Sequence, residues 1–237
     1  MKLGESLEVA LAVKDLPVSL AFYKTLGFSQ FGEPYSEPHP WIVLSDGDVH
    51  LGLHQYDRPS PILMYFSNRF SETLEQVQSL GIDFAERIEV EGRLVMAAFD
   101  DPNGQRIGLA DLMGAKIEMP AVEGLLPIGA FGEYSIPTAD RDVSVDFYRK
   151  LGFEGQVYDG PYPWAILQDG LITIGLHQTP DFKRPTITYF ANDMAERIAW
   201  VQEQGIELTF LHQDEGGVEN QAGIASPDGQ PFFLFNW

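Results

Sequence analysis

The stretch VKDLPVSLAFYKTLGF, residues 13–28, returns in altered form as TADRDVSVDFYRKLGF, residues 138–153. Val18-Ser19, Phe22-Tyr23 and Leu26-Gly27-Phe28 of the first copy stand where Val143-Ser144, Phe147-Tyr148 and Leu151-Gly152-Phe153 stand in the second. Working outward, Pro40-Trp41 recurs as Pro163-Trp164, Asp46-Gly47 as Asp169-Gly170, and Gly52-Leu53-His54-Gln55 as Gly175-Leu176-His177-Gln178. Tyr65-Phe66 recurs as Tyr189-Phe190, Val77-Gln78 as Val201-Gln202, Gly81-Ile82 as Gly205-Ile206, and Pro102-Asn103-Gly104-Gln105 as Pro227-Asp228-Gly229-Gln230. The order is kept and the offset hardly drifts, so the chain is a tandem duplication. Its two domains are read as residues 1–112 and 130–237, joined by a crossing linker over 113–129 that carries Pro120, Gly124 and Pro127.

Each half reads as strand, helix and three strands, and then the same again. Leu7 to Val13 alternates as a strand does. Asp15 can cap the helix that follows, Pro17 sits in its first turn where a missing N–H does no harm, and Gly27 ends it. Leu16, Leu20, Tyr23 and Leu26 fall at helical spacing and form its buried stripe. Trp41–Leu44 and Val49–His54 read as a hairpin around Asp46-Gly47. Ile62–Phe66 opens the second unit, and Phe70, Leu74 and Val77 give its helix an apolar stripe. Strands near 82–90, 93–99 and 105–111 close the half, with the turn Asp101-Pro102-Asn103-Gly104 before the last. In the second half Met194, Ile198 and Val201 form the matching stripe. The fold class is α+β: four βαβββ units, two per half, each half a curved mixed-sheet cup with its helices on the convex side.

This plan, headed by Val13-Lys14-Asp15-Leu16, Ser19, Phe22-Tyr23 and Leu26-Gly27-Phe28 and closed by Asp101-Pro102-Asn103-Gly104, resembles the vicinal oxygen chelate superfamily, the glyoxalase I, bleomycin-resistance and extradiol-dioxygenase group. Asp140, Ser144, Phe147-Tyr148 and Leu151-Gly152-Phe153 carry the resemblance in the second half. The resemblance implies two tandem glyoxalase-like domains, and it leaves the chemistry open, because one fold serves isomerases, dioxygenases and drug-binding proteins. It implies metal ligands on the first strand of each unit and a carboxylate on the last strand. The first-strand places fall on Glu8 and Glu133, those of the second unit near Ile62 and Thr186, and those of the closing strand on Gly108 and Phe233. On the fourth strand the place falls on Gly52 or Gly175, with a histidine two residues later.

Strand parity reads the cups independently of that resemblance, since successive side chains point to opposite faces. With Val9, Leu11 and Val13 on the helix side, Glu8 looks into the first cup, and with Leu51 and Leu53 buried, His50 and His54 join it. Glu133 and His177 look into the second cup by the same rule. Met64, Arg106 and Met96 add to the first surface, and Thr173, Thr188, Gln221, Phe233 and Phe235 to the second. A carboxylate and an imidazole in one pocket can serve as acid and base, as half of a metal site, or simply as hydrogen-bond partners. His50 is a third ligand candidate in the first half alone, and Arg106 suits an anionic ligand rather than a cation. Trp41 and Trp164 read either as platforms for a planar ligand or as core. His39, between Pro38 and Pro40, reads as an exposed loop residue, with a lid over the cup as the alternative. Phe233 in place of Gly108 favours, as a third reading, a second cup filled by its own side chains.

A formal charge of -20, spread along the chain, argues against nucleic acid and anionic membrane as partners. No cysteine is present, which removes thiolate nucleophiles, thiolate metal sites and disulfides. No signal peptide or membrane span is legible, so a cytoplasmic location is expected. The leading expectation is a protein that binds a small organic ligand at a degenerate metal site. The alternative is a lyase, isomerase or ring-cleaving dioxygenase using a divalent metal (Zn, Fe, Mn or Ni), and a homodimer is an assembly the sequence admits.

Overall fold

The computed structural model describes residues 1–114, 122 and 124–237; part of the expected linker, residues 115–121 and 123, lies outside the described residues. The first half runs β1 (Ser6–Ala12), α1 (Leu16–Thr25), β2 (Ser29–Tyr35), β3 (Trp41–Ser45), β4 (His50–His54), then β5 (Ile62–Ser67), α2 (Phe70–Ser79), β6 (Glu86–Val90), β7 (Arg93–Asp100) and β8 (Arg106–Asp111). The second runs β9 (Ala130–Pro137), α3 (Arg141–Lys150), β10 (Glu154–Asp159), β11 (Pro163–Gln168), β12 (Thr173–His177), then β13 (Thr186–Ala191), α4 (Met194–Glu203), β14 (Leu208–Gln213), β15 (Glu219–Ala225) and β16 (Pro231–Asn236). Four βαβββ modules are thus present, two to each half. Each half contributes one eight-stranded sheet, in the orders β2-β3-β4-β1-β5-β8-β7-β6 and β10-β11-β12-β9-β13-β16-β15-β14. Both sheets are mixed: β5 and β8 run parallel, as do β13 and β16, while β1–β5 and β9–β13 run antiparallel.

The local signals act as the residues dictate. Asp15 accepts the Val18 amide and Asp140 accepts those of Asp142 and Val143, so α1 and α3 begin on side-chain caps. Gly27 and Gly152 follow the two helix ends with φ of 98° and 97°, a conformation that favours glycine. The buried stripe of α1 differs from the one read from the sequence: Ser19 is buried and Leu20 is only half-buried. Ser19 goes inward because its hydroxyl has a half-buried partner, the carboxylate of Asp228. The strand read near 82–90 begins only at Glu86, after a single bond from the Ala85 amide to Ala98.

By contacts the chain forms two compact units that interleave the halves. One holds residues 1–10, the second module and residues 136–183; the other holds residues 11–58, residues 130–135 of β9 and residues 184–237. In the first, α2 rests on β5 and β8, and α3 on β11 and β12. Phe147 of α3 meets Phe99 of β7 with ring centroids 6.3 Å apart, Tyr148 donates to Asp101 at 3.1 Å, and Tyr65 donates to Asp169 at 2.6 Å. In the second, Tyr23 of α1 packs on Phe232 of β16 at 6.0 Å, and Tyr189 donates to Asp46 at 2.5 Å. The second module is therefore joined to the third, and the first to the fourth.

Helix-side positions are apolar and fully buried. Leu7, Val9, Leu63, Tyr65, Ile107, Leu109 and Phe99 form that layer in the first unit, and Tyr134, Ile187, Tyr189, Phe232 and Leu234 in the second. Removing this much apolar surface from water is the dominant favourable term. It also fixes the direction of every intervening side chain, which projects from the opposite, open face.

Candidate functional site

Register shows which side chains share a row on the open faces. In the first unit Glu8 lies opposite Met64, which lies opposite Gly108, which lies opposite Ala98. Glu8 is buried and Met64 half-buried. The sulfur and terminal methyl of Met64 fill the space above Gly108, where an added Cβ would stand 2.6 Å from them. One step along the strands is the row Ala10, Ile62, Arg106 and Asp100. Arg106 is gripped there by two carboxylates: its Nε and Nη2 donate to Asp100 at 2.5 and 3.1 Å, and its Nη1 to Glu86 at 3.4 Å. That neutralises the guanidinium locally and works against the anion-holding role expected from the sequence. Met96 shares the open face one row the other way, opposite Ala110.

In the second unit the equivalent row is Glu133, Thr188, Phe233 and Gly223. Glu133 is 5% exposed, and its carboxylate accepts from Ser135 Oγ at 2.6 Å. Ser135 Oγ in turn lies 2.6 Å from Thr188 Oγ1. The β9 register slips beside Glu133: Glu133 pairs with Thr188 but Phe131 with Tyr189, which leaves Gly132 as the extra residue of a bulge. The Phe190 ring lies over that glycine, where a Cβ would come within 2.2 Å of it. Phe190 stacks on Trp237 at 4.7 Å and meets Phe235 at 6.1 Å, and Phe235 stacks on Phe233 at 5.3 Å. Phe190, Phe233 and Phe235 are each half-buried, so these rings line the open face without closing it. Gln221 lies in the row of Phe235.

The histidines are held by the same device in both halves. Trp41 lies opposite His54 and Tyr35, and the three rings form a cross-strand stack, Tyr35 on Trp41 at 4.3 Å and Trp41 on His54 at 5.8 Å. Tyr158, Trp164 and His177 repeat it at 4.2 and 6.0 Å, with the Trp164 and His177 rings parallel to within 1°. Both faces of each indole are taken by these neighbours, so Trp41 and Trp164 orient a histidine rather than offering a face to a planar ligand. Each histidine is also met at Nδ1: His39 Nε2 stands 3.0 Å from His54 Nδ1, and the Tyr162 hydroxyl 3.2 Å from His177 Nδ1. His39 is thus half-buried and folded over β4, stacked on Tyr56 at 4.9 Å, and not the exposed loop residue read from its prolines. Burial first, then His54 and Arg58, hold the His39 imidazole below its ordinary pKa. His50 lies opposite Ser45, at the far end of β4 from His54, and Thr173 lies opposite Gln168 at the start of β12; both are half-buried.

The donor rows do not fit a metal of the kind the resemblance implies. Glu8 shares its row with a thioether and a glycine, and Glu133 shares its row with a hydroxyl and a phenyl ring. The row-mates are Met64 and Thr188, where the resemblance had pointed to Ile62 and Thr186. Among the described residues no three His, Asp or Glu side chains gather as a ligand set, whereas a catalytic zinc takes three protein ligands. Sequence reasoning missed Ser135, Tyr35, Tyr158, Tyr162 and Phe190. Strand parity along β13, which puts Thr188 on the open face, reaches Phe190 two residues later, whereas the tyrosines become visible only once hairpin register is known.

No family model matches the chain, and no curated protein matches it. Solved structures do, over the whole chain. A catechol 2,3-dioxygenase shares 18% identity, with 100% of this chain and 87% of that one covered and a TM-score of 0.63. The Mn(II)-bound glyoxalase from Novosphingobium aromaticivorans shares 18% identity over 100% and 83% of the two chains, TM-score 0.62. Homoprotocatechuate 2,3-dioxygenase from Arthrobacter globiformis shares 15% over 100% and 80%, TM-score 0.64. The fold is the two-domain glyoxalase and extradiol-dioxygenase fold. Among the described residues no helix is long and apolar enough to cross a membrane.

Proposed function

We propose that this chain, with a fold shared by ring-cleaving dioxygenases and a glyoxalase, is a small-molecule-binding protein of the glyoxalase and bleomycin-resistance type. It takes an organic ligand on the open faces of its sheets and keeps no resident metal. One observation carries the reading: the rows Glu8–Met64–Gly108 and Glu133–Thr188–Phe233 each hold a single carboxylate where first and closing strands together would supply a ligand set. The half-buried rings around the second row supply the apolar lining that organic ligands require. In this reading the domains are residues 1–112 and 130–237.

A second reading, a divalent-metal lyase, isomerase or ring-cleaving dioxygenase, is favoured by the clamped histidines. A ring nitrogen engaged at Nδ1, with the ring face fixed, is the arrangement by which proteins aim Nε2 at a metal. One experiment decides between them. Calorimetric titration of Mn(II), Fe(II) and Zn(II) into the full chain, stripped with chelator, is expected to show no stoichiometric binding tighter than about micromolar, an enthalpy-resolved affinity of roughly -8 kcal/mol. Tight binding of one ion per half overturns the first reading and establishes the second.

A further inference from the structure

Four strands end the two sheets, and a strand at a sheet edge offers unpaired N–H and C=O groups to any extended chain. Three of the four carry residues that discourage such pairing. β2 has Glu33 and Pro34, β6 has Glu86, Arg87 and Glu89, and β10 has Glu154 and Asp159. The fourth, β14, reads Leu208-Thr209-Phe210-Leu211-His212-Gln213 and has no Asp, Glu, Lys, Arg or Pro. Register shifts occur in β2, β6 and β14 alike, so what sets β14 apart is its side chains. Apolar groups stand in solvent on both of its faces. Phe210, opposite Gly223 on the open face, is 38% exposed, and Leu211, opposite the buried Ala222 on the helix face, is 39% exposed. Between the end of α4 and the strand lies a groove of about 590 Å³, lined by Gln202, Ile206, Leu208 and Leu211 among others. A strand added here would set alternate side chains on the two faces, one set toward this groove and the other beside Phe210.

The ends of the edge select its partner. Glu207 precedes β14 and Asp214-Glu215 follow it, all three exposed, in a chain with a formal charge of -20. Two copies pairing antiparallel through β14 would set Glu207 of each against Asp214 and Glu215 of the other, and parallel pairing would set like residues together. Such repulsion disfavours a second copy and favours a strand with cations at its ends. We infer that the β14 edge receives an extended segment of a partner protein, with an uncharged β-forming middle and a lysine or arginine at each end. Main-chain hydrogen bonds supply the affinity, and the end charges supply selectivity and register. The inference is independent of what the open faces bind.

Three acetylated and amidated peptides test this on the full chain: KVTVTVTK, its glutamate-ended counterpart EVTVTVTE, and KVTPPVTK, whose central prolines remove a donor from each edge. Binding is read by the anisotropy of a fluorescent label, and its place by amide hydrogen exchange. KVTVTVTK is expected to bind at least about tenfold more tightly than EVTVTVTE, a gap that narrows as salt rises from about 0.05 M to about 0.5 M. KVTPPVTK is expected not to bind, and KVTVTVTK to slow exchange over Leu208–Gln213. Leu211→Lys, which puts a charge inside the edge, is expected to weaken KVTVTVTK at least about tenfold. No binding of KVTVTVTK, equal binding of KVTPPVTK, no preference for lysine ends, or protection that falls outside β14 overturns the inference. Dimerisation of the chain alone, seen by analytical ultracentrifugation and lost in Leu211→Lys, gives the edge to a second copy and overturns it too. Where Leu211→Lys melts early, the three peptides and the exchange map on the unaltered chain decide.

Discussion

Asp46 shows how a single buried group sets a pH response. It sits in the β3–β4 turn, 7% exposed, with Oδ1 accepting the amides of Asp48 and Val49 and Oδ2 accepting the Tyr189 hydroxyl. Burial nevertheless outweighs these bonds and raises its carboxyl above the ordinary 3.8, and Asp101, in the other unit, is raised for the same reason. Between 3.8 and the raised value the folded chain holds a proton that the unfolded chain has lost. Stability is therefore full below the unfolded pKa and declines as pH rises through the folded one. Asp46→Asn keeps an acceptor for both turn amides and removes the ionisation. Thermal melting of the two proteins from pH 4 to pH 7 is expected to show the variant gaining on the parent as pH rises; parallel curves would remove Asp46 as the source. Glu8 and Glu133 contrast with this in legibility. Their placement on the open faces could be read from parity alone, because the buried neighbours, Leu7 and Val9 beside Glu8 and Tyr134 beside Glu133, leave one direction for the carboxylate. The Asp46–Tyr189 bond could not, since it links residues 143 positions apart through packing that no local pattern encodes.

At the scale of elements, helix starts were written plainly and helix faces less so. Asp15 and Asp140 cap their helices as their position before an apolar run implies, whereas α2 and α4 start without a side-chain cap bond. Losing the Asp140 cap strips partners from the amides of Asp142 and Val143, so Asp140→Ala is expected to cost about 1 kcal/mol. In a chain of this size that corresponds to a fall in melting temperature of about 2–4 °C. Differential scanning calorimetry reads it directly, and an unchanged midpoint would mean that tertiary packing alone holds α3. The α1 stripe was misread because Ser19 is buried by its bond to Asp228, and a polar partner of that kind is invisible to hydrophobic periodicity. The Tyr–Trp–His stacks went unread for a different reason. Tyr35, Trp41 and His54 sit on three strands and become neighbours only through register, which slips between Phe31 and Tyr35.

For the whole molecule, the sheets follow the duplicated halves but the packing does not. The helix of the first module meets the closing turn of the fourth, with Ser19 and the Lys14 amide both on Asp228 and Tyr23 bonded to Ser226. The helix of the third module meets the closing turn of the second, through Asn103 with Ser144 at 3.0 Å and Tyr148 with Asp101 at 3.1 Å. The repeat announced two similar halves; it could not announce this exchange, because the helices of the first and third modules are alike and so are the closing turns of the second and fourth, so that each helix fits either turn. A half separated from its sibling would expose Tyr23, Phe99 and Phe232, all but fully buried in the intact chain, and would leave the Asp101 and Asp46 carboxylates without their tyrosines. Burying an aromatic side chain stabilises by roughly 1.5–3 kcal/mol, a large fraction of the 5–15 kcal/mol that separates typical folded domains from unfolded ones. Expressed alone, residues 1–112 and 130–237 are therefore expected to lack a cooperative melt and near-ultraviolet dichroism as monomers. Mixed in equal amounts they should recover both, in a one-to-one complex visible by analytical ultracentrifugation. A separated half that melts cooperatively as a monomer, with the parent's aromatic spectrum, would show that the exchanged contacts are not what closes the core.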